Sequence, residues 1–366
     1  MANNWLELDR EAVRHNARQL RALAAPARLM PVVKANYYGA GAAPIAGELA
    51  AQGVDAFAVA TVREAVELRD AGIRGTIVVL TYFGRDEVEA IVERDIEPVV
   101  FTAETAAWIS ARARRRARVW VKVDTGLGRI GVPAREAAEF ARRIAKRPGL
   151  EIAGLLSTLA ENPERNPIQV ARITTLRDEL GDLGPLPISI ASSQGILATP
   201  GSYADIVRPG IVLLGVVPHP ERLDPALVAR AAVRPVVTWK ARVALVKRVP
   251  RGEQVGYGVR APLDRETPVA TLAVGWADGY AQTLAGVGQV LVRGRRCPIL
   301  AMSANSTMVD LSTVGEVPID EEAVLLGRQG DAEIRTAEIA QVIGSYYRVL
   351  AGIPATAERR WTATTS

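Results

Sequence analysis

Between about residue 10 and residue 230, short and nearly continuous apolar runs alternate with segments whose apolar positions recur every three or four residues. The runs cover residues 29–33, 56–60, 76–80, 97–101, 119–123, 152–156, 188–191 and 210–214. Continuity of this kind, without in-and-out alternation, suits strands buried on both faces of a parallel sheet. The periodic segments predict helices over 11–24, 43–52, 62–71, 87–94, 103–115, 135–146 and 170–180. Eight runs interleaved with helices predict a closed (β/α)8 barrel of the TIM type, with a doubly wound open sheet as the alternative.

Near residue 230 the texture changes. Longer alternating stretches over 236–249, 268–274 and 290–293, separated by Gly and Pro, predict antiparallel β structure with one late helix near 337–343. The expected organisation is an α/β chain with the barrel over residues 1–230 and a mostly antiparallel β domain over 231–366. The first few residues are also able to pair with the later domain. The polar, Thr- and Ala-rich tail beyond Pro354 is expected to fray.

Composition narrows the function classes. The chain has 366 residues, 49% hydrophobic and 23% charged, which fits an ordinary folded protein rather than a disordered one. Its net charge of +5 does not point to nucleic acid, because the arginines sit on helical stretches among acids. Arg63, Glu64, Glu67, Arg69 and Asp70 have the pattern of a solvated helix face. The basic run at 112–118 is broken by alanines and falls at a helix end, where cations complement the dipole. The single cysteine, Cys297, excludes an internal disulfide. No apolar run approaches the roughly 18–20 residues of a membrane span, and the opening residues lack a signal pattern. The expectation is a cytoplasmic protein with no nucleic-acid or membrane partner, and no metal is assigned.

Candidate chemistry begins at Lys34, in Val33-Lys34-Ala35-Asn36-Tyr37-Tyr38-Gly39 at the carboxyl end of the first predicted strand. Barrel enzymes place their reactive groups at that end. Arg208 falls at the entrance of the predicted eighth strand, in a region where barrels commonly cradle phosphate, and Ser193 with the amides of Gly210 and Ile211 would supply donors.

Five segments taken in order resemble the signature blocks of the alanine racemase family. They are Val33-Lys34-Ala35-Asn36-x-Tyr38-Gly39-x-Gly41, the run from Lys122 to Gly131, Val207-Arg208-Pro209-Gly210-Ile211, Gly256-Tyr257-Gly258, and Gly275-Trp276-Ala277-Asp278-Gly279-Tyr280. The resemblance spans nearly the whole chain, and it implies pyridoxal 5'-phosphate as cofactor and a small amino acid as substrate. It further implies that Lys34 holds the cofactor covalently, that Tyr38, Ser193, Gly210, Ile211 and Tyr346 bind its phosphate, that Arg208 faces the pyridine nitrogen and that Arg129 faces the ring hydroxyl. Lys122 falls where several family members carry a carbamylated lysine that steadies Arg129. The family is a homodimer in which the β domain of one subunit completes the site of the other, so Tyr257 would act across the interface as the second base beside Lys34. Two bases on opposite faces of a planar carbanion are what racemisation requires.

The departures from the pattern fall mostly on the substrate side. Trp276 replaces a usual tyrosine, Ala304 and Asn305 replace a Met-Asp pair, and Gln282 replaces an arginine common at the entrance. Two histidines of many family members correspond to Thr158 and Ser189 here, and the chain's only histidines, His15 and His219, have no expected chemical role. Loss of a methionine side chain enlarges the pocket, and an amide in place of an acid favours hydrogen-bond acceptors, so a serine-like or larger substrate is the expectation. Two alternatives remain at this stage: the same fold and cofactor serving another reaction at the α-carbon, and a non-catalytic cofactor-binding homologue.

Overall fold

The computed structural model of the chain describes residues 2–258 and 261–362. It divides into two compact units. One comprises Val13–Tyr37 and Ala42–Val233; the other gathers the amino-terminal strand, the four residues Tyr38–Gly41 and the chain from Arg234 onward.

The first unit is the barrel. Its eight strands are Arg28–Leu29, Ala56–Val59, Thr76–Val79, Glu97–Val100, Ala117–Asp124, Leu150–Leu156, Ile188–Ser192 and Ile206–Arg208, each parallel to its neighbours. A bridge between Val32 and Ala58 joins the first strand to the second and closes the ring. The interior is filled by aliphatic side chains such as Met30, Val78, Val99, Leu156 and Ile206 together with the Trp120 ring, and Phe101 packs against them. The helices form where sequence supplies both an apolar stripe and an end signal. In Val62–Asp70 the buried positions are Val62, Ala65 and Leu68, three apart, and Thr61 with Glu64 forms a reciprocal capping box.

Three expectations are corrected. The apolar run at 210–214 is not the eighth strand: Ile206–Arg208 is the strand, and Ile211–Leu214 is a fully buried 3-10 turn. A short run buried on all sides has no periodicity to separate strand from turn, and the Pro209-Gly210 break lies before it rather than after. The helix expected at 170–180 starts earlier, at Arg165–Glu179. The Asn162 side chain accepts from the amides of Glu164 and Arg165 there, and Pro167 is tolerated in a first turn that needs no amide. The tail beyond Pro354 is not frayed through Trp361, since Glu358–Trp361 is a strand; residues 363–366 lie outside the described residues.

The second unit is a sheet of nine strands, mostly antiparallel. Strand Asn4–Leu8 lies antiparallel to Val237–Val249 on one side and parallel to Glu358–Trp361 on the other. Trp5 is 1% exposed, and the guanidinium groups of Arg242 and Arg360 lie 5.0 and 4.9 Å from its ring centre. Trp5→Ala removes a large buried ring and two cation–π contacts, so it should cost about 3–5 kcal/mol in denaturant unfolding. A cost below about 1 kcal/mol would show that this junction does not hold the sheet together.

Candidate active site

Lys34 follows a first strand whose ladder runs past Leu29: the amides of Met30 and Val32 donate to Val207 and Pro209, and that of Val33 donates to Ala58. The lysine thus leaves the barrel wall from a backbone held on both sides. Ala35, Asn36 and Tyr37 then adopt φ of 54°, 49° and 53°, a left-handed turn built from residues that rarely adopt it. The turn is tied at several points. The Ala35 amide donates to Glu64 Oε1 at 2.6 Å, Asn36 Oδ1 accepts from the Ala42 amide at 2.9 Å, and the Tyr37 hydroxyl donates to the Gly210 carbonyl at 3.4 Å.

Burial holds the Lys34 amine below its ordinary pKa, and the positive charges of Arg129 and Arg208 add to this while Glu64 opposes it. Lys122 is 3% exposed and pushed further in the same direction, first by burial and then by Arg208 and Arg129. Its Nζ donates to Thr158 Oγ1 at 2.9 Å. Arg208, the last residue of the eighth strand rather than its entrance, is 3% exposed. It donates to Ser189 Oγ and to the Ser157 carbonyl, both at 2.6 Å, while the Ser189 hydroxyl donates onward to the Ile206 carbonyl. Burial and Arg129 bring its pKa down to about 10, so it remains a cation at neutral pH. The two hydroxyls at the family's histidine positions, Thr158 and Ser189, therefore each accept from a buried basic side chain, Lys122 and Arg208 respectively.

The donors foreseen for phosphate also meet. Ser193 is buried, and its Oγ accepts from the Gly210 amide at 2.9 Å, which leaves its own proton available. Ile211 opens the 3-10 turn, a position whose amide has no partner within the turn. Arg129 lies exposed in the Gly126–Gly131 loop, which Asp124 braces by accepting from the amides of Gly126, Leu127 and Gly128. Burial raises the Asp124 pKa, but those three amides outweigh it and hold the carboxyl ionised to lower pH.

The remaining predicted residues belong to the second unit. Tyr257 is 80% exposed and lines a cleft of about 610 Å³ with Ser303, Ser306 and Met308. Gly256 before it packs against Ala301 so closely that any side chain would collide, and its φ of 86° suits glycine. Trp276, half exposed, lines another cleft of about 520 Å³ with Gln282 and Arg348. Ala304 and Asn305 occupy the turn between Ser303 and Ser306, and the Ala304 carbonyl accepts from the Ala277 amide at 2.9 Å. The Tyr38 ring lies 6.0 Å from that of Tyr347, the neighbour of Tyr346.

The sequence reading passes over Glu64, which it groups with solvated helix charges, and over the buried Gln169. The Gln169 amide nitrogen donates to Thr125 Oγ1 and to the Thr158 carbonyl, bracing the loop beside Lys122. The Thr61-x-x-Glu64 spacing is the signal that marks Glu64 as more than a surface charge.

A barrel with a desolvated lysine and a buried arginine at the carboxyl ends of its strands, followed by an antiparallel β unit, defines a narrow class of enzyme. Residues 8–218 match the family model for the alanine racemase N-terminal domain, and residues 236–361 match that for the C-terminal domain. The chain belongs to the alanine racemase family. It is 37% identical over 364 residues to an alanine racemase of Symbiobacterium thermophilum, covering 96% of this chain and 95% of the relative. It is 36% identical to that of Syntrophobacter fumaroxidans, covering 94% and 93%. Among solved structures, alanine racemase from D-cycloserine-producing Streptomyces lavendulae matches with a TM-score of 0.90 at 31% identity, covering 99% of this chain and 98% of that one. The enzyme from Streptomyces coelicolor A3(2) matches with a TM-score of 0.90 at 32% identity, covering 98% of each. No helix among the described residues is long and apolar enough to cross a membrane.

Proposed function

We propose that the chain is a pyridoxal-phosphate-dependent amino-acid racemase with Lys34 and Tyr257 as its two bases. The observation that carries this reading is the grouping of a desolvated Lys34 amine with buried Arg208 and the Ser193, Gly210 and Ile211 donors. That set suits the cofactor: an amine shifted toward its neutral form can attack an aldehyde, a fixed cation can face a ring nitrogen, and a hydroxyl with turn amides can receive a phosphate. Tyr38 and Tyr346 are proposed as further phosphate ligands, and Arg129 as the partner of the ring hydroxyl. When bound, the cofactor delocalises charge from the α-carbon; Lys34 and Tyr257 would take and return the α-proton at Nζ and at the phenol oxygen. Arginine stays protonated, so Arg208 would leave the ring nitrogen without a proton and restrain that delocalisation.

Lys122 is the candidate for carbamylation. Its cation is heavily disfavoured by burial and by three neighbouring positive charges, and a carbamate would replace it with an anion beside Arg129. A homodimer is part of the proposal, with Tyr257 of one subunit serving Lys34 of the other, as is a cytoplasmic location.

The substrate reading concerns Trp276, Ala304 and Asn305. Trading a methionine for Ala304 opens room, and Asn305 offers an amide donor where an acid would repel acceptors. Serine, or an amino acid larger than alanine, should therefore exceed alanine in kcat/KM by about tenfold or more, about 1.4 kcal/mol of transition-state discrimination. Deuterium incorporation at the α-carbon with inversion, measured side by side for alanine, serine and bulkier amino acids in D₂O, tests both levels. Fastest turnover of alanine would dismiss the altered preference, and no exchange with any amino acid would dismiss the racemase.

A further inference from the structure

We infer that Glu64 is a positioning residue for Lys34, fixing the left-handed turn that presents the amine and supplying the negative charge that faces it. The inference rests on the proposed role of Lys34. Glu64 reaches from the first turn of helix Val62–Asp70 and accepts three backbone amides. Oε1 takes that of Ala35 at 2.6 Å, and Oε2 takes those of Ala60 at 2.7 Å and Thr61 at 3.1 Å. Only the last of these belongs to the capping box. A box-forming glutamate needs one oxygen for its own helix, and here the other is committed to the residue after Lys34.

Left-handed conformation at Ala35, Asn36 and Tyr37 costs energy at each residue and persists where surroundings impose it. The Glu64 contact acts on the first of the three, next to the lysine. Charge works in the same place. The groups that bear on Lys34 are Arg129 and Arg208, which favour the neutral amine, and Glu64, which favours the cation; Lys122 is coupled to Lys34 as well. Glu64 is the one carboxylate among them. It sets a balance in which burial and the arginines push the amine toward its neutral form while the carboxylate opposes them.

Glutamine cannot replace it. If its oxygen serves Ala60 and Thr61, its NH₂ group meets the Ala35 amide, donor against donor, and the charge is gone. Competitive acetylation across pH, with peptide mass spectrometry and exposed Lys146 as internal reference, reads the Lys34 amine in the full-length protein freed of cofactor. Glu64→Gln should lower the Lys34 midpoint by about one pH unit, so that labelling at a fixed pH below the midpoint rises about tenfold. Glu64→Asp keeps the charge and should stay closer to the wild-type midpoint than Glu64→Gln. Thr61→Ala removes the other half of the capping box, where Thr61 Oγ1 accepts the Glu64 amide, and should leave the Lys34 midpoint in place. An unchanged midpoint in Glu64→Gln, or an equal shift in Thr61→Ala, would overturn the inference by reducing Glu64 to a helix cap. The labelling needs neither cofactor nor substrate, so a protein that binds no pyridoxal phosphate yet shows the Glu64 shift fails the proposed function and not this coupling.

Discussion

The Lys34→Ala protein should be colourless after incubation with pyridoxal phosphate and dialysis, and should lose at least about a thousandfold in kcat. The wild type should be yellow under the same treatment. Both effects have one origin, because the amine that would hold the cofactor is also the one that would move the α-proton. Alanine does not disturb the fold at this position: the strand ladder that carries Lys34 is made by backbone amides of Met30, Val32 and Val33, and the turn after it is tied by Glu64 and Asn36. Absorption spectra of the two dialysed proteins decide the matter. A variant that keeps the visible band, or a wild type that never acquires one, would remove Lys34 from the centre of the chemistry.

Mixing inactive Lys34→Ala and Tyr257→Phe subunits should restore roughly a quarter of wild-type activity, by the symmetry of a twofold dimer. Random exchange makes half of the dimers hybrid, and each hybrid has one site with both bases and one with neither. The expectation rests on the proposed dimer and on the exposure of Tyr257, 80% accessible on its own unit and preceded by a glycine that admits no side chain. Activity is followed during subunit exchange, with hybrid formation checked by native mass spectrometry. Persistent inactivity in a confirmed hybrid population would assign both bases to a single chain.

The barrel was legible because buried parallel strands leave a strong mark: eight apolar runs separated by helix-period segments, seven of which are strands. The eighth failed for a physical reason. Ile206–Arg208 contributes only three residues and ends in a buried cation, while the apolar signal next to it belongs to the 3-10 turn at Ile211–Leu214. The positions of Lys34 and Arg208 could be read from motif spacing, but their electrostatic coupling could not, because it depends on how eight strands close. Glu64 was hidden by the opposite effect. Its local charge pattern matches a solvated helix face, and its contact with Ala35 spans 29 positions of sequence. At Glu358–Trp361, composition argued for disorder, yet Trp361 lies 4.8 Å beneath the Arg10 guanidinium and the strand pairs with the first residues of the chain.

That last pairing bears on the order in which the protein is made. Strand Asn4–Leu8 leaves the ribosome ahead of both partners, since its antiparallel neighbour begins at Val237 and its parallel neighbour at Glu358. At synthesis rates of about 5–20 residues per second, the opening strand waits on the order of ten seconds or more for its first partner and longer for its second. Throughout that interval Trp5, Leu6 and Leu8, all buried in the finished sheet, are without their cover. The barrel unit, Val13–Tyr37 and Ala42–Val233, is synthesised in full before either partner strand exists, so the nascent chain carries this unpaired apolar segment while the whole barrel is made. Chaperone engagement during synthesis is expected at that segment until Val237–Val249 arrives to cover it.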